Sequence, residues 1–404
     1  MLHVPERTFS ARAPDLTPGA RHLLYLVRRR GPLTRAQIGD LTGWARDTVT
    51  ARLDELQGHQ LLRPSGVTVG PRGRPAVNFE FDSSRGRLLV ADVGATSAVL
   101  ARCDLAGTVL SSTGLALRIE DGPDLVLGGI ITALHQLQLD DPTPVWGVGV
   151  DLPGPVEHPT GRVVSPPIMT GWNGLAVPSR FSPHFNCPIV VENDADAMAW
   201  GEWEQGSSSK DDRYSPGNQD LLFLKVGTGI GAGIVSNGAL VRGANGAAGD
   251  LGHTYIEVAN REPPLCRCGN SGCVEAYAGG WAIVRDLACD GLDVSGVSDV
   301  LRLLQAGDPD ARRRVREAGR VLGIGLASAV SLFNPAEVVI GGQLAAAGED
   351  LLAGIRERIA ARSLPLATQD LIIRTSRLGH RAGLVGLAAA VVQSVFQDNK
   401  QAVK

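Results

Sequence analysis

Between Gly246 and Glu275 the chain reads GAAGDLGHTYIEVANREPPLCRCGNSGCVE. One imidazole and three thiols, His253, Cys266, Cys268 and Cys273, fall in this short stretch. Three thiolates and one imidazole complete a tetrahedral set for structural Zn2+, with no position left for a reactive water. A closed site of that kind braces the chain rather than catalysing. Two carboxylates, Asp250 and Glu275, flank the ligands. The brace is therefore expected to hold His253 and these acids in place for some other ligand.

Glycine turns supply the next clue. An apolar strand ends in Asp92-Val93-Gly94-Ala95-Thr96, and a second strand follows directly. Glycine lets the backbone approach a phosphate, Asp92 can hold Mg2+ through water, and Thr96 offers a hydroxyl. Strand, D-x-G-x-T turn, strand is similar to the phosphate hairpin of actin-like ATPases and sugar kinases. A second apolar strand, Leu222 to Val226, runs into Gly227-Thr228-Gly229. Two such hairpins predict a duplicated α/β lobe with a cleft between the halves. A third turn, Gly341-Gly342, is expected beside a nucleotide base. Between the hairpins, Ile189-Val190-Val191-Glu192 leads into Asn193-Asp194. Asn and Asp there suit a helix N-cap. They equally suit a polar pair at a strand's C-terminal end facing the cleft, holding sugar hydroxyls, with Asp194 able to act as general base.

The first part of the chain is different in kind. Residues 17–82 predict three helices and a hairpin. The first helix carries Leu23, Leu24, Leu26 and Val27 and stops at Gly31-Pro32. The second opens on the capping box Thr34-Arg35-Ala36-Gln37 and buries Ile38 and Leu41. The third buries Val49, Leu53 and Leu56 and displays Arg46, Asp47, Thr50 and Arg52. That pattern is a helix-turn-helix, and the following hairpin with Arg72 and Arg74 in its loop makes it a winged one. Extended arginines of this kind fit the narrow minor groove of A·T-rich DNA.

Bulk properties agree with two functions in one chain. At 404 residues the chain exceeds one ordinary core. Residues 1–82 hold twelve Arg and no Lys against eight acids, a net +4, which leaves −7 on the remainder of a chain of net −3. A basic head on an acidic body implies an anionic partner for the head. The absence of a membrane-length apolar run or a signal-like N-terminus predicts a cytoplasmic protein without a membrane partner. In a reducing compartment, clustered cysteines are metal ligands rather than disulfides.

The segments DVGAT, DLPGPV, GRVVSPP with GWN, VENDAD, GTGIGAG, GAAGDLGH, CRCGNSGCVE and FNPAEVVIGG follow in this order. Together they resemble the ROK family of repressors, open reading frames and sugar kinases over residues 84–404, and the winged helix resembles the family's repressor branch. The resemblance implies an α/β, actin-like and ribonuclease-H-like two-lobed sugar-kinase fold after an α+β winged helix-turn-helix domain. The boundaries expected are a disordered 1–16, the head 17–82, a first lobe 84–195 completed by a helix at 382–398, and a second lobe 196–381. It implies zinc on His253, Cys266, Cys268 and Cys273. It implies sugar contacts from Gly161, Arg162, Asn193, Asp194, Asp250, His253 and Glu275, His253 serving both through its two ring nitrogens. Asp92, Gly94, Thr96, Gly227, Thr228 and Gly229 would be phosphate motifs, vestigial in a regulator. Three departures stand out: Asp250 where the family carries Glu, Ala95 where its kinases carry Gly, and Ala45 where a Ser cap is common. The expected function is a sugar-responsive transcriptional repressor, a homodimer or dimer of dimers on double-stranded operator DNA, with a sugar or phosphosugar effector in the cleft. The alternative is an ATP- and Mg2+-dependent sugar kinase with Asp194 as base.

Overall fold

The computed structural model describes residues 13–68, 75–207 and 220–396. Of the exposed loop expected from Ser207 to Asn218 only Ser207 is described, as the end of a helix, and the tail expected to fray after about Asp398 lies outside the described residues. Leu16, expected within a disordered leader, is instead buried on the core of the head, because it adjoins the Thr17 cap of the first helix.

The head comprises α1 (Pro18–Arg30), β1 (Leu33–Thr34), α2 (Arg35–Thr42), α3 (Arg46–Gly58), β2 (Leu62–Thr68) and β3 (Ala76–Phe81). Local chemistry sets its helix starts. The Thr17 hydroxyl accepts the Ala20 N–H, and Thr34 and Gln37 form a complete capping box. Ala45 has no side chain able to cap α3. Leu23, Leu24, Ile38, Val49, Leu53 and Leu56 form the core, as the helical spacing requires. Leu41 does not: it is 39% exposed, since the eight-residue α2 meets its neighbours along the narrow stripe of Ile38. The three strands pair antiparallel in the order β1-β3-β2.

The first lobe holds β4 (Arg87–Val93), β5 (Ser97–Cys103), β6 (Val109–Ala116), α4 (Pro123–Gln138), β7 (Val145–Leu152), β8 (Val156–Glu157), β9 (Arg162–Val163), α5 (Pro178–Phe181) and β10 (Ile189–Asn193). Helix α6 (Asp194–Ser207) follows without a break, so the expected boundary at residue 195 falls inside a helix. The second lobe holds β11 (Leu221–Val226), β12 (Ile230–Ser236), β13 (Ala239–Leu240), α7 (Val274–Ala278), α8 (Gly280–Cys289), α9 (Val297–Gln305), α10 (Pro309–Phe333), β14 (Glu337–Gly341), α11 (Glu349–Arg362), α12 (Pro365–Thr368) and β15 (Ile372–Thr375). The chain then returns to the first lobe as α13 (Ala382–Phe396).

The sheets share one topology. The order β10-β7-β4-β5-β6 in the first lobe matches β13-β12-β11-β14-β15, read from its other end, in the second. Each has an antiparallel three-strand meander continued by two parallel strands. This is the duplicated lobe that the two glycine hairpins predict.

Glycine decides how α6 and α13 meet. A Cβ on Gly386 would sit 1.7 Å from the Ala197 carbonyl oxygen, and one on Gly201 would sit 2.1 Å from that of Ala382. The two helices therefore cross backbone to backbone. Gly147 and Gly149 similarly leave room on β7 for Val391. Arg374 ties α6 to the second lobe, donating to Glu202 and to Glu337, each at 2.6 Å. The head belongs to the first lobe: its core is continuous with Leu88, Val90, Trp146 and α13. Phe396 packs edge-on to Phe81 and Trp146, with Arg28 over the rings of Phe81 and Phe396.

Gly386→Ala is accordingly expected to cost about 1–3 kcal/mol, seen as a lowered Tm. Gly128→Ala, on the exposed side of α4 with open space at the Cβ position, should stabilise by up to about 1 kcal/mol. Equal Tm values for the two variants would contradict the tight crossing.

Candidate functional site

The two glycine turns face each other across the cleft between the lobes. Its cavity of about 310 Å3 is lined by Gly94 and Thr96 on one side and by Gly227, Thr228 and Gly229 on the other. Asn193, Asp194, Asp250, His253 and Glu275 line the same cavity. The third glycine turn contributes its neighbour Gln343. Residues from distant parts of the chain thus meet at one cavity, whereas Asp92 lies behind its lining.

Gly161 and Arg162 do not line the cavity. They form the turn and second strand of the β8–β9 hairpin, with Gly161 at φ +65° against Pro178. Arg162 turns back on its own surroundings, donating to the Gly174 carbonyl at 3.2 Å and lying 3.8 Å from the Glu157 carboxylate. The expected sugar contact from this pair is not part of the cleft geometry.

The cysteine segment folds on tight turns. The Cys266 N–H donates to the Asn270 carbonyl at 2.7 Å, and Gly269 and Gly272 take positive φ. A Cβ on Gly272 would meet the Tyr255 ring at 2.5 Å. These turns bring one ligand atom each from His253, Cys266, Cys268 and Cys273 within 4.8 Å of one another. Cys266 Sγ lies 3.7 Å from His253 Nδ1, and Cys268 Sγ lies 3.7 Å from Cys273 Sγ. Thiolates bound at about 2.3 Å to one tetrahedral ion would be about 3.8 Å apart, so the two 3.7 Å contacts have the spacing of ligands to a shared ion. With Nδ1 turned to sulfur, Nε2 is the nitrogen that His253 has left for the cavity.

Glu275 links this segment to the second glycine turn. It is 7% exposed. Its Oε2 accepts the Ile230 N–H at 2.8 Å and its Oε1 accepts the Trp281 indole N–H at 3.1 Å. A Cβ on Gly229 would come within 2.5 Å of Oε2, so only glycine lets the turn reach the carboxylate. Asp250, by contrast, is an exposed side chain on the cavity wall.

Asn193 performs the capping role. Its Oδ1 accepts the N–H groups of Ala195 at 2.9 Å and Asp196 at 3.3 Å, and its Nδ2 donates to the Gly154 carbonyl at 3.0 Å. The cap also fixes the Gly154 loop, another part of the cavity wall. The two readings of Asn193-Asp194 are therefore compatible, because the cap sits at the cleft.

Asp194 is ion-paired with Lys225, a residue that sequence reasoning passed over. The available signal was a lone charge in the otherwise apolar strand LLFLKV. Burial works against the Lys225 ammonium, but Asp194, then Asp92 and Asp151, outweigh it and raise its pKa. Burial, with Asp194 adding to it against the pull of Lys225, pushes the Asp92 carboxyl up to about 6. Burial, then Asp92 and Asp194, push Asp151 well above the usual carboxylate range. Trp281 and Arg267 also line the cavity, with the guanidinium 4.8 Å from the ring centroid.

A second surface lies on the head. Arg46 and Asp47 are exposed in the first turn of α3 and Thr50 is half-buried one turn later. Arg52 is instead held within the domain, donating to Glu55 and Thr17. Arg72 and Arg74 lie outside the described residues.

Residues 89–394 match the model of the ROK family. The chain is 26% identical to the xylose repressor of Bacillus spizizenii over 374 residues, covering 92% of this chain and 94% of that one. It is 30% identical to the glucokinase of Halalkalibacterium halodurans over 316 residues, covering 73% of this chain and 92% of that one. Among solved structures, a ROK family transcriptional regulator, a homologue of the E. coli MLC protein, superposes with a TM-score of 0.79 at 27% identity, covering 93% of this chain and 96% of that one.

If the four donors hold one ion, Cys268→Ser should lower bound transition metal from one equivalent per chain to a small fraction of that, measured by elemental analysis after gel filtration. A full equivalent retained by the variant would remove Cys268 from the ligand set.

Proposed function

Because the chain belongs to the ROK family, we propose that it is a sugar-responsive, DNA-binding repressor of carbohydrate uptake or catabolism genes. The supporting observation is the extent of the match to a xylose repressor: 374 aligned residues are more than residues 84–404 can contain, so the likeness takes in the head. The head is a winged helix-turn-helix that reads operator DNA with Arg46, Asp47 and Thr50 of α3, helped by Arg72 and Arg74 of the wing. Its operator is double-stranded and its active form is a homodimer or a dimer of such dimers, since paired recognition helices read half-sites about one helical turn apart. The place of action is the cytoplasm. Among the described residues, no helix is long and apolar enough to cross a membrane.

The effector is a sugar or phosphosugar held by Asp194, Asp250, His253 and Glu275. Structural Zn2+ on His253, Cys266, Cys268 and Cys273 fixes the imidazole so that Nε2 meets a hydroxyl, the metal setting tautomer and orientation. Asp250 is one methylene shorter than a glutamate, and is the residue on that wall best placed to set sugar choice.

Geometry suggests how occupancy reaches DNA. The head packs on the first lobe, whereas α6 is tied to the second through Arg374. One partly buried ion pair crosses between them: Arg29 of α1 donates to Glu204 of α6 at 2.9 and 2.8 Å, with its guanidinium 5.1 Å from the Trp203 ring centroid. Helix α6 starts at Asp194 on the cleft and reaches Glu204 about 15 Å further on. Closure of the second lobe on a sugar therefore moves the seat of Arg29. Such a sugar shifts the equilibrium only by its differential affinity for the open and closed forms.

Fluorescence anisotropy on an operator duplex selected by the protein itself, with a panel of pentoses, hexoses and N-acetylhexosamines, tests this reading. One sugar class should release DNA; no release by any member, with DNA binding intact, would count against a sugar effector. Asp250→Ala should shift the sugar response at least tenfold to higher concentration while DNA affinity changes less than about twofold; an unchanged sugar response would exclude Asp250 as a contact. Glu204→Gln should bind the sugar as before but release DNA less completely; full release would leave the Arg29 link without a role in coupling.

A further inference from the structure

Phosphoryl transfer in this fold would need a divalent cation near Asp92, which with Asp151 lies behind the cavity wall that Asp194 lines, so these carboxylates decide whether one fits. Three converge there from separate elements. Asp92 lies in β4, Asp151 in β7 and Asp194 at the start of α6. Asp151 is fully buried; its Oδ1 accepts the Val93 N–H at 2.8 Å and its Oδ2 has no hydrogen-bond partner. That Oδ2 and Asp92 Oδ2 both face Gly383 at the start of α13, 3.2 and 2.3 Å from where a Cβ on that glycine would stand. Burial raises the carboxyls of Asp151 and Asp92 towards their neutral forms, and a nearby cation is what opposes that rise.

The positive charge present is the Lys225 ammonium, which comes from β11 across the cleft and pairs with Asp194. The strand is built to deliver it. Lys225 stands opposite Gly231 on β12 and Gly341 on β14, so a glycine lies on each side of it in the sheet. Burial works against this ammonium, and Asp194, then Asp92 and Asp151, raise its pKa.

We propose that Lys225 is a built-in counter-ion that takes the place of a divalent cation in this acid cluster, making the cleft a sugar-sensing site that works without Mg2+ and without phosphoryl transfer. Mg2+ demands near-octahedral oxygen ligation at about 2.0–2.1 Å, and an ammonium on Asp194 removes one ligand and repels the ion. The same pair engages the Asp194 oxygen that a general base would use. The residues present therefore do not suit Mg2+ and ATP. Because Lys225 belongs to the second lobe and Asp92 and Asp151 to the first, the ammonium also forms an electrostatic link between the lobes at the cleft floor. The inference rests on the regulator reading but is separable from it, since operator binding is measured on the same preparations.

The test uses the full-length, zinc-loaded protein as wild type, Lys225→Met and Lys225→Arg. Mn2+ is titrated and free Mn2+ read by electron paramagnetic resonance, and ADP release is followed with MgATP plus glucose or xylose. Lys225→Met should bind one Mn2+ per chain at least tenfold more tightly than wild type, and Lys225→Arg should behave as wild type. Equal Mn2+ affinity in wild type and Lys225→Met overturns the proposal, as does sugar-dependent ATP turnover by the wild type. Should Lys225→Met fail to fold, the wild-type arm still decides: one Mn2+ bound at submillimolar concentration would overturn it. Failure to bind operator DNA with the Mn2+ results as expected would instead remove the regulator reading and leave the counter-ion.

Discussion

Helices α6 and α13 touch through their backbones at Gly201 and Gly386, and the working parts of the molecule are arranged around that contact. A side chain at either position would push the helices apart. Because they meet so closely, a helix of the second lobe and the last helix of the first share one crossing. The N-terminus of α6 is thereby held at the cleft and its C-terminus against the head. The cleft exists because the two sheets repeat one topology on either side of this crossing.

The cleft wall has a similar economy of contacts. Glu275 is bound on both oxygens, to the N–H of Ile230 and the indole of Trp281. It joins the metal-ligand segment to the second glycine turn, so a change in one is felt by the other. His253 stands at the same junction, with one nitrogen among the sulfurs and the ring lining the cavity. A metal there would act through geometry, by fixing the imidazole, and the chemical variety of the wall would fall to Asp250 and Asp194.

Lys225 changes the meaning of a kinase-like cleft. The glycine turns, the carboxylates and the helix cap are all present, yet an ammonium pairs with one of the acids. A fold associated with phosphoryl transfer has here been given its own fixed cation. Arg29 and Glu204, at the far end of α6, join the head to that helix.

Much of this was legible in the sequence because it depends on neighbours along the chain. Thr34 and Gln37 specify a capping box within four residues, the spacing of Val49, Leu53 and Leu56 specifies the buried face of α3, and the CRCGNSGC turns gather their own cysteines. Leu41 was misjudged because burial of a short helix depends on what lies opposite, not on its own period. Gly161 and Arg162 stand off the cavity lining, a position that only the packing of the β8–β9 hairpin beside Pro178 decides. The pairing of Lys225 with Asp194, the convergence of Asp92 and Asp151 upon it, and the grip of Glu204 on Arg29 join residues far apart in the chain. Local propensity carries no information about such pairs. They arise from two sheets facing each other and two helices crossing, and only the tertiary structure brings those charges together.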